Sequence, residues 1–222
     1  MNQLEKARQA MVERQLKRRG IVNQQILQAM GQVPRHSFVS AEYQCLAYKD
    51  TALPIGHGQT ISQPYIVARS IEALNLQSPS TAHVLEIGTG LGYQAAVLSR
   101  LVAQVYTVEH VEALMIQAKQ NLAALNYQNV RVSHGDGGYG WPKYAPYDGI
   151  IVSAAAPEVP PPLLAQLKPS ASLIIPVGTK NDQKLICVTN LGSEFKQEVI
   201  LPVAFVPLIG EHGWSKNYDI AG

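Results

Sequence analysis

The stretch "VLEIGTGLGYQAAVL" (84–98) limits the fold more than any other part of this chain. "HVLEI" (83–87) is an apolar run that reads as a buried strand, and "YQAAVLSRL" (93–101) reads as a helix. Between them Gly88, Gly90 and Gly92 stand at alternate positions. A plain strand-to-helix turn needs about one glycine. Three let the backbone turn tightly and approach a ligand where a Cβ would collide. The helix that follows aims its free amides at the same place.

The same alternation continues downstream. Strands are expected at 104–109, 129–134, 147–153 and 172–178, with helices at about 111–125 and 161–167. "QKLICVTN" (183–190) and "QEVILPVAFVPL" (197–208) follow each other with no helix between them, which predicts an antiparallel pair. Repeated strand–helix units predict an α/β, doubly wound, Rossmann-like fold. Its sheet is expected to have seven strands, mostly parallel, with an antiparallel C-terminal pair. Upstream, Leu4, Ala7, Met11, Val12 and Leu16 mark an amphipathic helix over 2–19, stopped by Gly20. A second helix spans about 23–30, with Asn23 as cap and Gly31 as stop. Residues 32–64 read as an irregular lid. One domain results: helices and lid in 1–64, a nucleotide-binding core in 82–178, and the strand pair in 183–208.

At 222 residues, with 46% apolar and 15% charged residues, the chain can fill a two-sided core. A net charge of +2 gives no support for nucleic-acid binding. The basic run Lys17, Arg18, Arg19 reads as a solvated helix end. No apolar run reaches membrane-spanning length and the N-terminus lacks an export signal. Cys45 and Cys187 fit neither a disulfide framework nor a zinc site, and no metal site is expected. The expected setting is cytoplasmic.

Which ligand the glycine turn serves is decided by its neighbours. The dinucleotide pattern G-x-G-x-x-G would put its third glycine where Tyr93 stands. Glu86 lies two residues before the first glycine, and a carboxylate there suits a cationic ligand better than a pyrophosphate. Glu109 ends the second strand, where an acid reads ribose hydroxyls, a feature shared by both cofactor classes. Asp136 in "GDG" (135–137) reads either as an adenine contact or as an ordinary Asp-Gly turn. Together these features favour S-adenosylmethionine over NAD and resemble a class I methyltransferase.

Several stretches in order then resemble one family, the protein-L-isoaspartate O-methyltransferases. They are "MVERQLKRRGI" (11–21), "VPRHSFV" (33–39), "LPIGHGQTISQPYIVARSIEAL" (53–74), "VLEIGTGLGYQAAVLSRL" (84–101), "HGDGGYGW" (134–141), "YDGIIVSAAAPEVPPPLLAQLKP" (147–169) and "FVPLIG" (205–210). The resemblance implies methylation of the α-carboxylate of L-isoaspartyl residues in damaged proteins, from S-adenosyl-L-methionine, leaving S-adenosyl-L-homocysteine. The ester then closes spontaneously to a succinimide that partly reopens to a normal aspartyl linkage. It places the catalytic Ser on Ser62, with Thr60 beside it. It places cofactor contacts on Ile61, Ser62, Gln63, Pro64, Gly88, Gly90, Glu109, Asp136 and Gly137, to which the reading of the motifs adds Glu86, Thr89, Gly92 and His110. Substrate contacts fall on Ser62 and Val206. A monomer acting on isoaspartyl proteins and peptides is implied. The chain departs from the pattern at Ala204, where many members carry a basic residue.

Ser62 is not expected to be a nucleophile. None of the six histidines gives it a G-x-S-x-G context or an oriented base. The proposed substrate needs none, because its carboxylate, with a free pKa near ~3.5–4, is already ionised. Thr60 and Ser62 then orient the carboxylate; on the residues alone, without the resemblance, they read first as hydroxyls that satisfy loop backbone. Gly56 and Gly58 are expected to let the loop close. After the fourth strand, Ser153-Ala154-Ala155-Ala156-Pro157 lacks the D/N-P-P-Y clamp of amide methylation. Two alternatives remain: an O-methyltransferase of a small-molecule carboxylate, and a cofactor-binding protein without catalysis.

Overall fold

The computed structural model describes residues 2–215. The N-terminal helix α1 (Gln3–Met11) opens on a capping box between Asn2 and Glu5 and continues through a π turn and a 3₁₀ turn to Arg19. Gly20, at φ 90°, ends it in the left-handed conformation. Helix α2 (Gln24–Gln32) starts where the Asn23 side chain accepts from the Gln25 and Ile26 amides. It runs through Gly31, contrary to the expected stop there. Val33, extended ahead of Pro34, ends it instead, because proline disfavours helical backbone in the residue before it.

Residues 32–64 are more ordered than expected. Two 3₁₀ turns lead into a hairpin of β1 (Leu53–Gly56) and β2 (Gln59–Ile61). His57 and Gly58 both take positive φ, 53° and 70°, the backbone that a tight two-residue hairpin turn requires. The glycines here shape a turn. Helix α3 (Pro64–Ala73) follows at once, with Pro64 in its first turn and Val67, Ala68 and Ile71 buried along one face. That spacing was readable in the sequence, but the adjacent loop signals hid it.

The main sheet contains β3 (His83–Ile87), β4 (Gln104–Glu109), β5 (Val130–His134), β6 (Tyr147–Val152), β7 (Leu167–Thr179), β8 (Asp182–Asn190) and β9 (Phe195–Val203). Helices α4 (Tyr93–Ser99), α5 (Glu112–Ala124) and the short α6 (Pro161–Leu164) connect them. The strand order is β5-β4-β3-β6-β7-β8-β9. All pairings from β5 to β7 are parallel, whereas β8 is antiparallel to both β7 and β9. This is the expected seven-stranded arrangement. β7 begins earlier than expected and β9 ends earlier. Residues 204–208 leave the sheet edge and cross the end of β6, where Ala155 N donates to Val206 O and Leu208 N to Ala155 O, both at 2.8 Å.

Side chains alternate along β3, so Val84 and Leu85 enter separate apolar cores on the two faces of the sheet. The chain runs from β3 outward to β5 and then returns to β6. The strand order therefore reverses between β3 and β6, and a crevice opens at their C-terminal ends.

Candidate active site

Two recesses meet in that crevice. The inner cleft encloses about 860 Å³ when its open mouth and the solvent in it are counted. Its floor is the glycine turn. Gly88, Gly90 and Gly92 have φ of 90°, 55° and 94°, all left-handed, where other side chains would be strained. A Cβ on Gly90 would stand 3.2 Å from Ile55 Cδ1 of the hairpin, so bare backbone is what keeps the gap open. Gly88 and Thr89 line the cleft beside it. Gly92 does not, because it faces Leu122 and lets α5 pack against the turn.

Glu109 is buried at the end of β4 and lines the cleft. Its two oxygens accept from Gly90 N at 2.8 Å and Val111 N at 2.9 Å. His110 lines the cleft next to it. Gly137 lines the cleft as well, pressed so closely on Ile87 that a Cβ would lie 2.2 Å from its Cγ2. Asp136 is not on the lining. Its oxygens accept from Gly138 N at 2.8 Å and Glu211 N at 2.9 Å, which pins the loop carrying residues 208–211. The turn reading of Asp136 is the one these hydrogen bonds match.

Glu86 requires a further correction. It shares the α4-side face of β3 with Val84, is fully buried and lies outside the cleft lining. Thr107 Oγ1 donates to it at 2.6 Å and Gln94 Nε2 at 3.0 Å. Burial pushes its carboxyl up to about 8, against the pull of these hydrogen bonds. The Glu86 side chain packs beneath the turn and makes no direct contact with the cleft.

The hairpin and the loop after it form the other wall. Thr60, Ile61 and Ser62 line the inner cleft, and Gln63 lines only the outer groove. Pro64 is buried as the first residue of α3 and reaches neither. The outer groove runs along the end of β9 and the 204–206 crossing, and its one ionisable lining side chain among the described residues is Arg19. Arg19 stacks on the Tyr65 ring, 3.5 Å from its centroid, and pairs with Asp50. Among the described residues, four line both recesses: Thr60, Ser62, Ser153 and Val206.

Three contributors escaped sequence reasoning. Arg35 is fully buried and donates to the carbonyls of Ala47, Thr51 (3.3 Å) and Ser62 (2.9 Å). It lies 5.6 Å from the Tyr93 ring, which supports its cation where burial works against the charge. The signal for it was an arginine inside an apolar stretch, "VPRHSF". Gln94 and Ser153 both line the inner cleft and hydrogen-bond each other at 3.0 Å. Nothing in their local sequence marks them as polar partners.

A family model described as "Protein-L-isoaspartate(D-aspartate) O-methyltransferase (PCMT)" matches residues 6–213. The chain belongs to this family. A protein-L-isoaspartate O-methyltransferase of Roseiflexus castenholzii is 53% identical over 211 residues, covering 95% of each chain. One from Dictyoglomus thermophilum is 51% identical over 199 residues, covering 90% of each. A solved protein-L-isoaspartate O-methyltransferase superposes with a TM-score of 0.84 at 30% identity, over 94% of this chain and 67% of its own. A Plasmodium falciparum chain crystallised with S-adenosyl-L-homocysteine gives 0.80 at 26% identity, over 91% and 98%. Family membership thus spans both the sheet and the N-terminal cap that carries Thr60 and Ser62.

Proposed function

We infer that this chain is an S-adenosyl-L-methionine-dependent protein-L-isoaspartate O-methyltransferase that esterifies the α-carboxylate of L-isoaspartyl residues. The observation that carries the reading is the junction of the two recesses. One recess is a bare-backbone cradle with the buried Glu109 carboxylate on its lining, and the other is an open groove along a strand end. Among the described residues, only hydroxyl and apolar side chains line the place where they meet.

The cradle fits the cofactor. The 88–90 turn would hold its methionine portion, Glu109 its ribose hydroxyls, and His110 and Gly137 would flank its adenine. When bound, S-adenosyl-L-methionine supplies a methyl group on a positively charged sulfur. The chain's own work is to deliver an anionic carboxylate to that methyl and to hold it there. Thr60 and Ser62 donate hydrogen bonds to the carboxylate and fix its direction. Neither is a nucleophile, and no base is needed because the attacking oxygen carries no proton at neutral pH. His57 stands exposed on the hairpin turn and lines neither recess. Closing the hairpin over the junction excludes water while opposite charges cancel.

The groove leads out along Leu201–Val206, so an extended peptide has room on both sides of its modified residue. This favours a protein or peptide over a small-molecule carboxylate. Recognition through main chain predicts tolerance of many flanking sequences. We place the enzyme in the cytoplasm as a monomer; Cys45 and Cys187 are free thiols. Among the described residues, no helix is long and apolar enough to cross a membrane. The test is transfer of label from methyl-labelled S-adenosyl-L-methionine to an isoaspartyl peptide, with the normal aspartyl peptide as control. Label on the isoaspartyl peptide alone is expected. Cofactor binding without transfer would overturn the reading.

A further inference from the structure

Ser153 follows the last residue of β6, at the point where the strand order reverses. Its amide donates to Ile87 O at 2.8 Å, which ties it to the end of β3. Its side chain lies over the glycine turn, where a Cβ on Gly88 would stand 3.4 Å from Ser153 Cβ. It is one of the four residues common to the inner cleft and the outer groove, and the only one of them from the sheet core.

The direction of its hydroxyl is set from below. Gln94 Nε2 carries two hydrogens and has two acceptors, Glu86 Oε1 at 3.0 Å and Ser153 Oγ at 3.0 Å. Glu86 is itself immobilised by Thr107, whose Oγ1 lies 2.6 Å from Thr89 Oγ1. The amide of Gln94 is therefore held from below by buried partners and gives one hydrogen to the serine oxygen. A hydroxyl that accepts from Gln94 still has its own hydrogen to give. Among the described residues no acceptor lies within hydrogen-bond reach of it. A donor left open on the rim of a cleft calls for an acceptor from outside the chain.

We propose that Ser153 donates this hydrogen to the substrate carboxylate, opposite Thr60 and Ser62. The assignment rests on the functional reading above and adds to it a contact from the sheet wall. A carboxylate offers about four lone-pair sites, enough for donors from both walls. The bond is strongest while the carboxylate is anionic and weakens as methylation removes the charge. Because Thr60 and Ser62 still fix the direction of the carboxylate, its loss falls on peptide binding rather than on turnover.

The test compares the wild type with Ser153→Ala and Ser153→Thr. It measures kcat and KM for an isoaspartyl peptide, affinity for S-adenosyl-L-homocysteine by calorimetry, and the thermal midpoint. For Ser153→Ala, KM is expected to rise roughly 10–100-fold, the effect of losing a hydrogen bond to a charged group. Its kcat should change by less than about threefold, the pattern of an interaction present before the transition state. Ser153→Thr, which keeps the hydroxyl, should restore KM, and neither variant should shift product affinity or the thermal midpoint. An unchanged KM in Ser153→Ala, an equal rise in Ser153→Thr, or a parallel loss of product affinity would overturn the assignment while leaving the enzyme's function intact. A wild type that binds the product but methylates no isoaspartyl peptide would overturn the function, and this contact with it.

Discussion

On the sheet side of the cleft, the parts that meet a ligand are held by bonds that belong to the fold itself. Gly88 N donates to Val108 O at 2.8 Å in continuation of the β3–β4 ladder, and Gly92 N donates to Thr89 O at 2.9 Å within the turn. On the cap side, the corresponding parts are held by side chains from distant segments. Arg35 reaches Ser62 across 27 residues of sequence, and Arg19 reaches Asp50 across 31. The first wall follows from strand pairing. The second is a short hairpin that individual side chains tie to the rest of the chain. A site with one rigid wall and one clamped wall suits an enzyme that must hold a cofactor in fixed geometry and still admit a protein segment.

Two substitutions separate the walls. Ser62→Ala removes a hydroxyl from the cap and leaves the cradle intact. Turnover should drop roughly 100-fold, the effect of a misdirected reactant, with affinity for S-adenosyl-L-homocysteine little changed. An unchanged kcat would remove Ser62 from the mechanism. Gly137→Val acts on the sheet side. Its Cβ would meet Ile87 Cγ2 at 2.2 Å and push a lining residue into the cleft. Product affinity should weaken roughly 10–100-fold, the free-energy cost of overpacking a tight site. Calorimetry showing full affinity would mean that the 137 turn lies outside the cofactor site.

Arg35→Lys tests the clamp. A single ammonium cannot serve three carbonyls that a planar guanidinium reaches together. Unfolding free energy should fall by about 2–3 kcal/mol, from carbonyls left unpaired in a buried place. Turnover should fall about tenfold as the Ser62 backbone loosens, with product affinity retained. Loss of stability without loss of turnover would show that Arg35 supports the cap but not the position of Ser62.

The same contrast explains what could be read in advance. The glycine spacing, the apolar strands and the absence of a helix between 183 and 208 are local signals, and they yielded the seven-stranded sheet. The cap gave no comparable periodicity. Its hairpin depends on positive φ at His57, a residue with no strong preference for that conformation. Resemblance to a family singled out Thr60 and Ser62, but no local pattern does. Arg35 and Gln94 escaped because each acts on a partner far along the chain. Glu86 was assigned to the cofactor because sequence puts it beside the glycines. The pleat of β3 then turns its side chain away from them, onto the face shared with Val84.

Glu86→Gln tests that last point, with the smallest effect on catalysis. The folded chain keeps the Glu86 proton up to about pH 8, whereas a free carboxyl of this type gives it up near 4.5. Between these values the unfolded state binds fewer protons than the folded one. The stability contributed by the neutral acid is therefore complete below about pH 4.5 and is lost as pH rises, by at most about 1.4 kcal/mol per unit for one group. An amide in its place has no such proton to lose. The variant should match the wild type in urea unfolding near pH 5 and exceed it near pH 8. Methyl transfer should stay within about twofold, because an amide oxygen can still accept from Gln94. Equal pH slopes for the two chains would mean that Glu86 is ionised in the folded state, and would restore it as a charge that the cofactor could feel.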